Sequence, residues 1–84
     1  MTDIEHLLTI MRRTKNGWSC DDLDKLYIGL GFIMREGGKH RIYIHPKYPE
    51  LMATVTRTRS LAKGYISHAL HLADSLREKE ARNE

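Results

Sequence analysis

The stretch FIMREGGKHRIYIH, residues 32–45, decides the fold class because it forms two strand-like segments around a tight turn. Residues 32–36 and 39–45 are rich in β-branched and aromatic side chains, which favour strands. Gly37-Gly38 is a two-residue hairpin signal, since such a turn needs positive φ angles that glycine adopts without strain. A third strand is predicted over residues 51–58, and the short links between the three predict an antiparallel meander.

Amphipathic helices are predicted on both sides of this meander. The first covers residues 1–15, with Thr2 and Glu5 at capping-box spacing, and the second begins near Ser19 or Cys20 and stops at Gly31. The last runs from about residue 60 to 82, and its charged end, 77–84, is expected to fray. We therefore predict one α+β domain over residues 1–84 in the order α-α-β-β-β-α, with the helices on one face of the sheet.

Strand parity predicts which side of the second strand meets the core. In a regular strand His40 shares a face with Ile42 and Ile44, which the apolar pattern assigns to the core. His40 would still be accessible at the first position of the strand, or through a bulge beside the glycines. The side chains expected to face solvent are Arg41, Tyr43 and His45.

The charge distribution points to a polyanionic partner. The 84-residue chain has a formal net charge of +3, yet residues 35–63 carry seven Lys or Arg against two Glu. Such a positive centre favours binding to nucleic acid, and a solvated basic surface without a partner is the alternative. The single cysteine, Cys20, excludes an intrachain disulfide, and with no signal peptide evident a cytoplasmic location is expected.

His40 is the candidate catalytic residue, because it follows the double-glycine turn and lies between Lys39 and Arg41. A histidine can act as an acid or a base near neutral pH, and flanking cations stabilise the charged transition state of phosphoryl transfer. This combination suits attack by an RNA 2′-hydroxyl on its own phosphate. The alternative is an exposed strand residue without a role.

The candidate RNA-binding residues surround the same turn. Backbone N–H groups of a glycine turn can cradle a phosphate. Basic side chains add electrostatic attraction to the RNA backbone. The full set is Lys39, Arg41, Arg57, Arg59, Lys63, Gly37 and Gly38.

Other residues suggest weaker alternatives. His68 and His71 lie three apart on the last helix, a spacing that could hold a metal, but no third or fourth ligand is evident. A lone Cys20 at a helix start is more often structural than nucleophilic. No metal and no cofactor are therefore predicted. Tyr43 is a candidate for stacking on a base, although a strand tyrosine is more often a packing residue.

Several short motifs, in order, resemble the HicA-type (YcfA-like) toxins of type II toxin–antitoxin systems. The similarity covers Leu23 to about Leu76 and leaves the N-terminal helix, 1–15, outside. Two positions depart from the family pattern: Lys39 stands where Ser is usual, and residues 56–58 replace Pro-x-His. The motifs are Leu30-Gly31-Phe32, Gly37-Gly38-Lys39-His40, Ile42-Tyr43-Ile44-His45-Pro46, Ala53-Thr54-Val55 and Lys63-Gly64-Tyr65-Ile66.

The resemblance implies a fold similar to the double-stranded RNA-binding domain and a metal-independent endoribonuclease acting on mRNA. It implies one catalytic histidine, which falls on His40. It also implies a cognate HicB-type antitoxin that covers the site, and leaves open whether the chain forms a homodimer or a hetero-oligomer with that antitoxin. A non-catalytic RNA-binding module of the same fold, or a domain whose basic patch meets an acidic protein, remains the alternative.

Overall fold

A computed structural model describes residues 3–82 of the chain and has a three-stranded antiparallel sheet at its centre, in the order β1-β2-β3. The predicted α+β class and the predicted order of elements are confirmed. The capping box expected at Thr2 lies outside the described residues. The elements are α1 Asp3–Arg13, α2 Cys20–Gly29, β1 Ile33–Gly37, β2 His40–Ile44, β3 Met52–Thr56 and α3 Lys63–Arg82.

The β1–β2 hairpin turns one residue later than predicted. Gly37 pairs with His40, so the two turn residues are Gly38 and Lys39 rather than Gly37 and Gly38. Gly38 has φ +65°, and no non-glycine residue of the described chain has a positive φ. A positive φ at the first turn residue alone is the pattern of a type II′ turn. Lys39 therefore stands at the tip of the hairpin, and His40 begins β2.

The helix-covered face of the sheet is the opposite of the one that strand parity predicted. Tyr43 is fully buried beside its cross-strand partner Ala53 and stacks on Tyr27 of α2, whereas Ile42 and Ile44 are half-buried on the other face. Arg41 and His45 share the face of Tyr43, so alternation of apolar and polar residues favoured the face of Ile42 and Ile44. The choice follows from Tyr43, whose hydroxyl donates a 2.6 Å hydrogen bond to Asp24 Oδ1 on α2.

Helix α2 begins where its capping residues require. Ser19 Oγ accepts a hydrogen bond from the Asp22 backbone N–H at 3.3 Å, and the Asp22 carboxylate accepts one from the Ser19 N–H at 2.9 Å. This reciprocal arrangement satisfies two donors at the start of the helix. Leu23, Leu26 and Tyr27 then face the core.

Helix α3 begins at Lys63 rather than near Ser60, and it continues through the charged segment to Arg82. Ion pairs join this part of the helix to other elements. Arg77 pairs with Glu5 of α1, and Lys79 Nζ lies 2.8 Å from Glu50 Oε2.

Helix α1 packs against α2 and α3. It contributes Leu8 and Met11 to the core, and its Arg12 Nη2 lies 2.6 Å from Asp74 Oδ1 on α3. Ile4 of α1 lies against Gly29 of α2, so a Cβ at position 29 would overlap Cδ1 of Ile4. The glycine inside α2 is therefore explained by the close approach of α1.

Within residues 3–82, no helix combines the length and the apolar character needed to cross a membrane.

Candidate functional site

His40 lies on the face of the sheet that the helices leave uncovered, which we call the open face. Strand alternation and register place one residue of every successive pair on this face. His40 is exposed there, at the hairpin end of β2. The open face consists of Ile33, Arg35, Gly37, His40, Ile42, Ile44, Met52, Thr54 and Thr56.

Gly37 and Thr56 are the direct neighbours of His40 across the strands. Directly opposed residues have Cβ atoms about 4.5–5.5 Å apart, so Thr56 is the side-chain neighbour of His40 on the β3 side. Gly37 has no side chain, which leaves the β1 side of His40 accessible. Thr56 was not predicted as a site residue, and only the register of β2 with β3 identifies it.

Arg35 is the cation that shares the open face with His40. It pairs with Ile42, one row away from the Gly37–His40 pair, and its side chain is exposed. Diagonal neighbours on one face lie about 7–8 Å apart, within reach of a long side chain. The sequence contained the signal, because Arg35 lies two residues before Gly37.

Arg41 lies on the opposite, helix-covered side. Its Nη1 donates a 3.1 Å hydrogen bond to Asp21 Oδ1 of α2, and only 21% of its side chain is exposed. The hydrogen bond with Asp21 raises the pKa of Arg41, partly offset by burial. The structure therefore separates the two cations that flank His40 in sequence: Lys39 is exposed at the turn, and Arg41 is engaged with α2.

The remaining predicted RNA-binding cations follow β3. Arg57 donates its backbone N–H to Lys39 O at 3.2 Å, which puts it beside the hairpin, and its side chain pairs with Glu36. Arg59 and Lys63 are exposed, and neither forms an ion pair within residues 3–82. These cations line the chain from the hairpin to the start of α3.

His45 belongs to the core rather than to the surface that parity predicted. It is 6% exposed, and its ring packs edge-on against Phe32 at 5.2 Å and beside Tyr48 at 5.3 Å. Its Nδ1 accepts a 3.2 Å hydrogen bond from the Lys47 N–H. These contacts hold the link between β2 and β3, so His45 has a structural role.

The helical histidines do not form a metal site with other side chains. His68 Nε2 lies 3.2 Å from Met52 O, and His71 is an exposed neighbour of Asp74. Across the part of the chain that the structure describes, no three His, Cys, Asp or Glu residues converge as metal ligands. Cys20 is half-buried at the start of α2, where its N–H donates to Thr58 O at 3.1 Å.

The arrangement at the hairpin end supplies an accessible acid–base group beside positive charge. His40 is exposed, Lys39 adjoins it at the turn, and Arg35 lies on the same face. Among the residues of the open face, His40 is the one histidine, the residue type that most often serves as an acid or a base in catalysis. The site can therefore bind a phosphate and exchange one proton with it or with an adjacent hydroxyl.

No family model, no curated protein and no solved structure matches this chain.

Proposed function

We propose that the chain is an endoribonuclease toxin that binds mRNA and cleaves it with His40 as its single acid–base residue. The observation that carries the proposal is the exposure of His40 on the open face, between Lys39 at the turn and Arg35 in the next row. The order of motifs shared with HicA-type toxins supports the same assignment, since their catalytic histidine falls on His40.

The reaction that suits these groups is an internal transesterification of RNA. Neutral His40 accepts the proton of a ribose 2′-hydroxyl, whose oxygen then attacks the adjacent phosphorus. The bond from phosphorus to the 5′-oxygen breaks, which gives a 2′,3′-cyclic phosphate on one product. The 5′-oxygen of the other product takes up a proton from the imidazolium or from water. No metal or cofactor enters this balance.

Positive charge stabilises the developing charge on the phosphate. Arg35 shares the open face with His40, Lys39 adjoins His40 as an exposed cation of the turn, and the Gly38 turn leaves the backbone open to a phosphate. Arg41 acts instead by holding β2 to α2 through Asp21. The proposed catalytic group is therefore His40 with Lys39 and Arg35.

The cations after β3 bind the RNA backbone at phosphates other than the one that reacts. Arg59 and Lys63 are exposed and lie close in sequence to the Arg57–Glu36 pair beside the hairpin. The side chains of this pair are 40% and 53% exposed, so the interaction is weak and a phosphate can displace Glu36 from Arg57.

The toxin proposal includes a cytoplasmic location and a HicB-type antitoxin. The open face suits such a protein partner, because Ile33 and Met52 are 56% and 50% exposed beside half-buried Ile42 and Ile44. A partner that covers these apolar side chains would also cover His40. Antitoxin binding would thereby block RNA access to the site.

A non-catalytic RNA-binding module is the second candidate. One observation favours it: the open face holds a single acid–base group, where transesterification uses both a base and an acid. Thr56 beside His40 has no pKa near neutrality and cannot replace a second histidine. In this case the same cations bind RNA and the strand stays intact.

An end-labelled RNA incubated with the purified chain in EDTA separates the two candidates. We expect cleavage by the wild type, products with 2′,3′-cyclic phosphate ends, and no cleavage of an all-2′-deoxy strand. The variant His40→Ala should lose cleavage at least 100-fold, the usual contribution of an acid–base group. The matched control His71→Ala removes an exposed histidine far along α3 and should cleave normally. RNA that is bound but uncut by the wild type assigns the non-catalytic function.

A further inference from the structure

We propose that the outer edge of β3 and the groove beside it bind an extended peptide segment of a partner protein that carries an acidic residue at one end. The segment would add a fourth strand to the sheet. This surface does not include His40, although it shares Arg59 and Lys63 with the proposed RNA-binding cations.

The backbone of β3 offers a row of hydrogen-bonding groups at the edge of the sheet. His45 N–H donates to Leu51 O, and Arg57 N–H donates to Lys39 O, so the odd-numbered residues of β3 bond to β2. The even-numbered residues alternate with them and direct their N–H and C=O groups outward. Three N–H groups, of Met52, Thr54 and Thr56, and the Thr54 carbonyl face this edge.

Two of the outward carbonyls already have partners, which confirms the direction of this edge. Met52 O lies 3.2 Å from His68 Nε2, and Thr56 O accepts from the Thr58 N–H at 3.0 Å. The section around Thr54 is left as the place where a strand can pair. Residues 52–56 include no charged residue, no proline and no bulge, the features by which edge strands usually avoid pairing.

An apolar groove of about 400 Å³ runs between this edge and α3. Alternate side chains of an added strand would point into it, as in peptide recognition by strand addition. A Cβ at Gly64 would meet no atom within 4 Å, so the glycine keeps the mouth of the groove open. The groove is lined by Met52, Ala53, Thr54, Ala62, Gly64, Tyr65 and His68.

The charge at one end of the groove selects an acidic residue. Lys63 directly precedes Gly64 on the rim, and Arg59 lies in the link before it, both exposed and without an ion pair in the described chain. The first turn of α3 contains no acidic residue, so its N-terminus adds positive potential. His68 contacts Met52, and Lys63 lies more than one helical turn before His68, at the start of α3.

Backbone pairing and apolar side-chain sites distinguish this ligand from RNA. A nucleic acid would use the cations but neither the outward N–H row nor the groove, whose lining includes two alanines and a methionine. An alternating apolar peptide with a terminal Asp or Glu would use all three features.

Selection from a displayed library of random 12-residue peptides on the purified chain tests the proposal. We expect enriched peptides with alternating apolar residues and an acidic residue near one end. In a titration of the best synthetic peptide, the largest NMR shift changes should fall on amides of residues 52–56 and 62–68. No enrichment, or shift changes centred on the hairpin, would overturn the proposal.

Three variants sharpen the test. Thr54→Pro removes an outward N–H that makes no hydrogen bond to β2, and it should weaken peptide binding at least tenfold. Thr54→Val keeps this N–H and should bind the peptide normally. Gly64→Leu fills the groove and should also abolish binding. Lys63→Glu should lower the affinity for the acidic peptide but not for a peptide whose acidic residue is replaced by Gln. A selected peptide that binds Thr54→Pro and Gly64→Leu as tightly as wild type contradicts strand addition, whatever the RNA assays show.

Discussion

The rings of Tyr27 and Tyr43 stack with centroids 4.7 Å apart and planes at 25°, yet their buried hydroxyls are in different situations. Tyr43 Oη donates to Asp24 Oδ1 at 2.6 Å. Tyr27 Oη has no hydrogen-bond partner among the residues that the structure describes. The two tyrosines therefore pack in a similar way, but the hydrogen-bonded hydroxyl of Tyr43 stabilises the fold and the buried hydroxyl of Tyr27 does not.

Replacing each tyrosine with phenylalanine should separate these terms. Tyr43→Phe leaves the Asp24 carboxylate without its donor, so we expect the free energy of unfolding to fall by about 1–3 kcal/mol. Tyr27→Phe removes a buried hydroxyl that has no partner and should not lower it. Urea unfolding followed by circular dichroism measures both, with Tyr65→Phe at the groove as a control. An equal loss in the two variants would contradict the assigned polar roles.

Stability should decline at alkaline pH because of the same pair. Burial raises the pKa of Tyr27 and of Tyr43 above its ordinary value, and the bond with Asp24 raises that of Tyr43 further. The unfolded chain releases these protons near pH 10 while the folded chain retains them. The contribution of the two tyrosines to the free energy of unfolding is therefore fully present below about pH 10 and falls as the pH rises beyond it. Melting temperatures between pH 8 and 11 should fall less steeply for Tyr27→Phe than for the wild type.

The contact of Ile4 with Gly29 predicts that Gly29→Ala changes the free energy of unfolding in opposite directions in the wild type and in an Ile4→Ala background. A Cβ at Gly29 overlaps the outer atoms of the half-buried Ile4 side chain, which must move, so Gly29→Ala should destabilise the chain by about 1 kcal/mol through overpacking. In an Ile4→Ala background the overlap is absent, and the same change should stabilise α2 by up to about 1 kcal/mol, from helix propensity. Urea unfolding of the four proteins gives the cycle. Additive effects would show that α1 does not constrain position 29.

The Arg12–Asp74 ion pair should give an acid-sensitive contribution that salt reduces. The guanidinium holds the pKa of Asp74 below its ordinary value, chiefly by hydrogen bonding. This contribution is present above the unfolded-state pKa near 4 and is lost as pH falls through the lowered value. Because both side chains are about half exposed, Asp74→Asn should lower stability at pH 7 by about 0.5 kcal/mol or less. The difference from wild type should shrink as the pH falls below about 4 and also in about 1 M NaCl.

The sequence predicted the elements well because their signals are local. The Ser19–Asp22 cap, the apolar stripes of the helices and the glycines of the hairpin each depend on residues a few positions apart. The choice of sheet face depends instead on tertiary partners. Tyr43 and the isoleucines beside it are all strand-prone and apolar, and only Asp24 on α2 and the ring of Tyr27 assign Tyr43 to the core.

The candidate site was predicted in part for the same reason. His40 and Lys39 follow from the hairpin signal alone, although the turn is shifted by one residue. Thr56 depends on the register of β2 with β3, which no local pattern contains, whereas Arg35 belongs to the same hairpin as His40 and could have been identified from it. Arg41 was assigned to RNA because it adjoins His40 in sequence, whereas alternation along a strand sends adjacent side chains to opposite faces.

Alanine substitutions at Arg35 and Arg41 test this separation of the cations. Arg35→Ala removes an exposed charge from the open face, so RNA affinity should fall while the melting temperature stays unchanged. For single strands, the slope of log K against log salt should become shallower by about 0.7 for the lost phosphate contact. Arg41→Ala breaks the partly buried bond to Asp21 and should lower the melting temperature, with the salt slope unchanged. Fluorescence anisotropy with labelled RNA, at salt concentrations from about 50 to about 300 mM, gives both slopes. Salt screens phosphate contacts over this range. If the slope becomes shallower for Arg41→Ala and stays unchanged for Arg35→Ala, the RNA binds on the helix-covered side. Arg35 would then not belong to the site around His40.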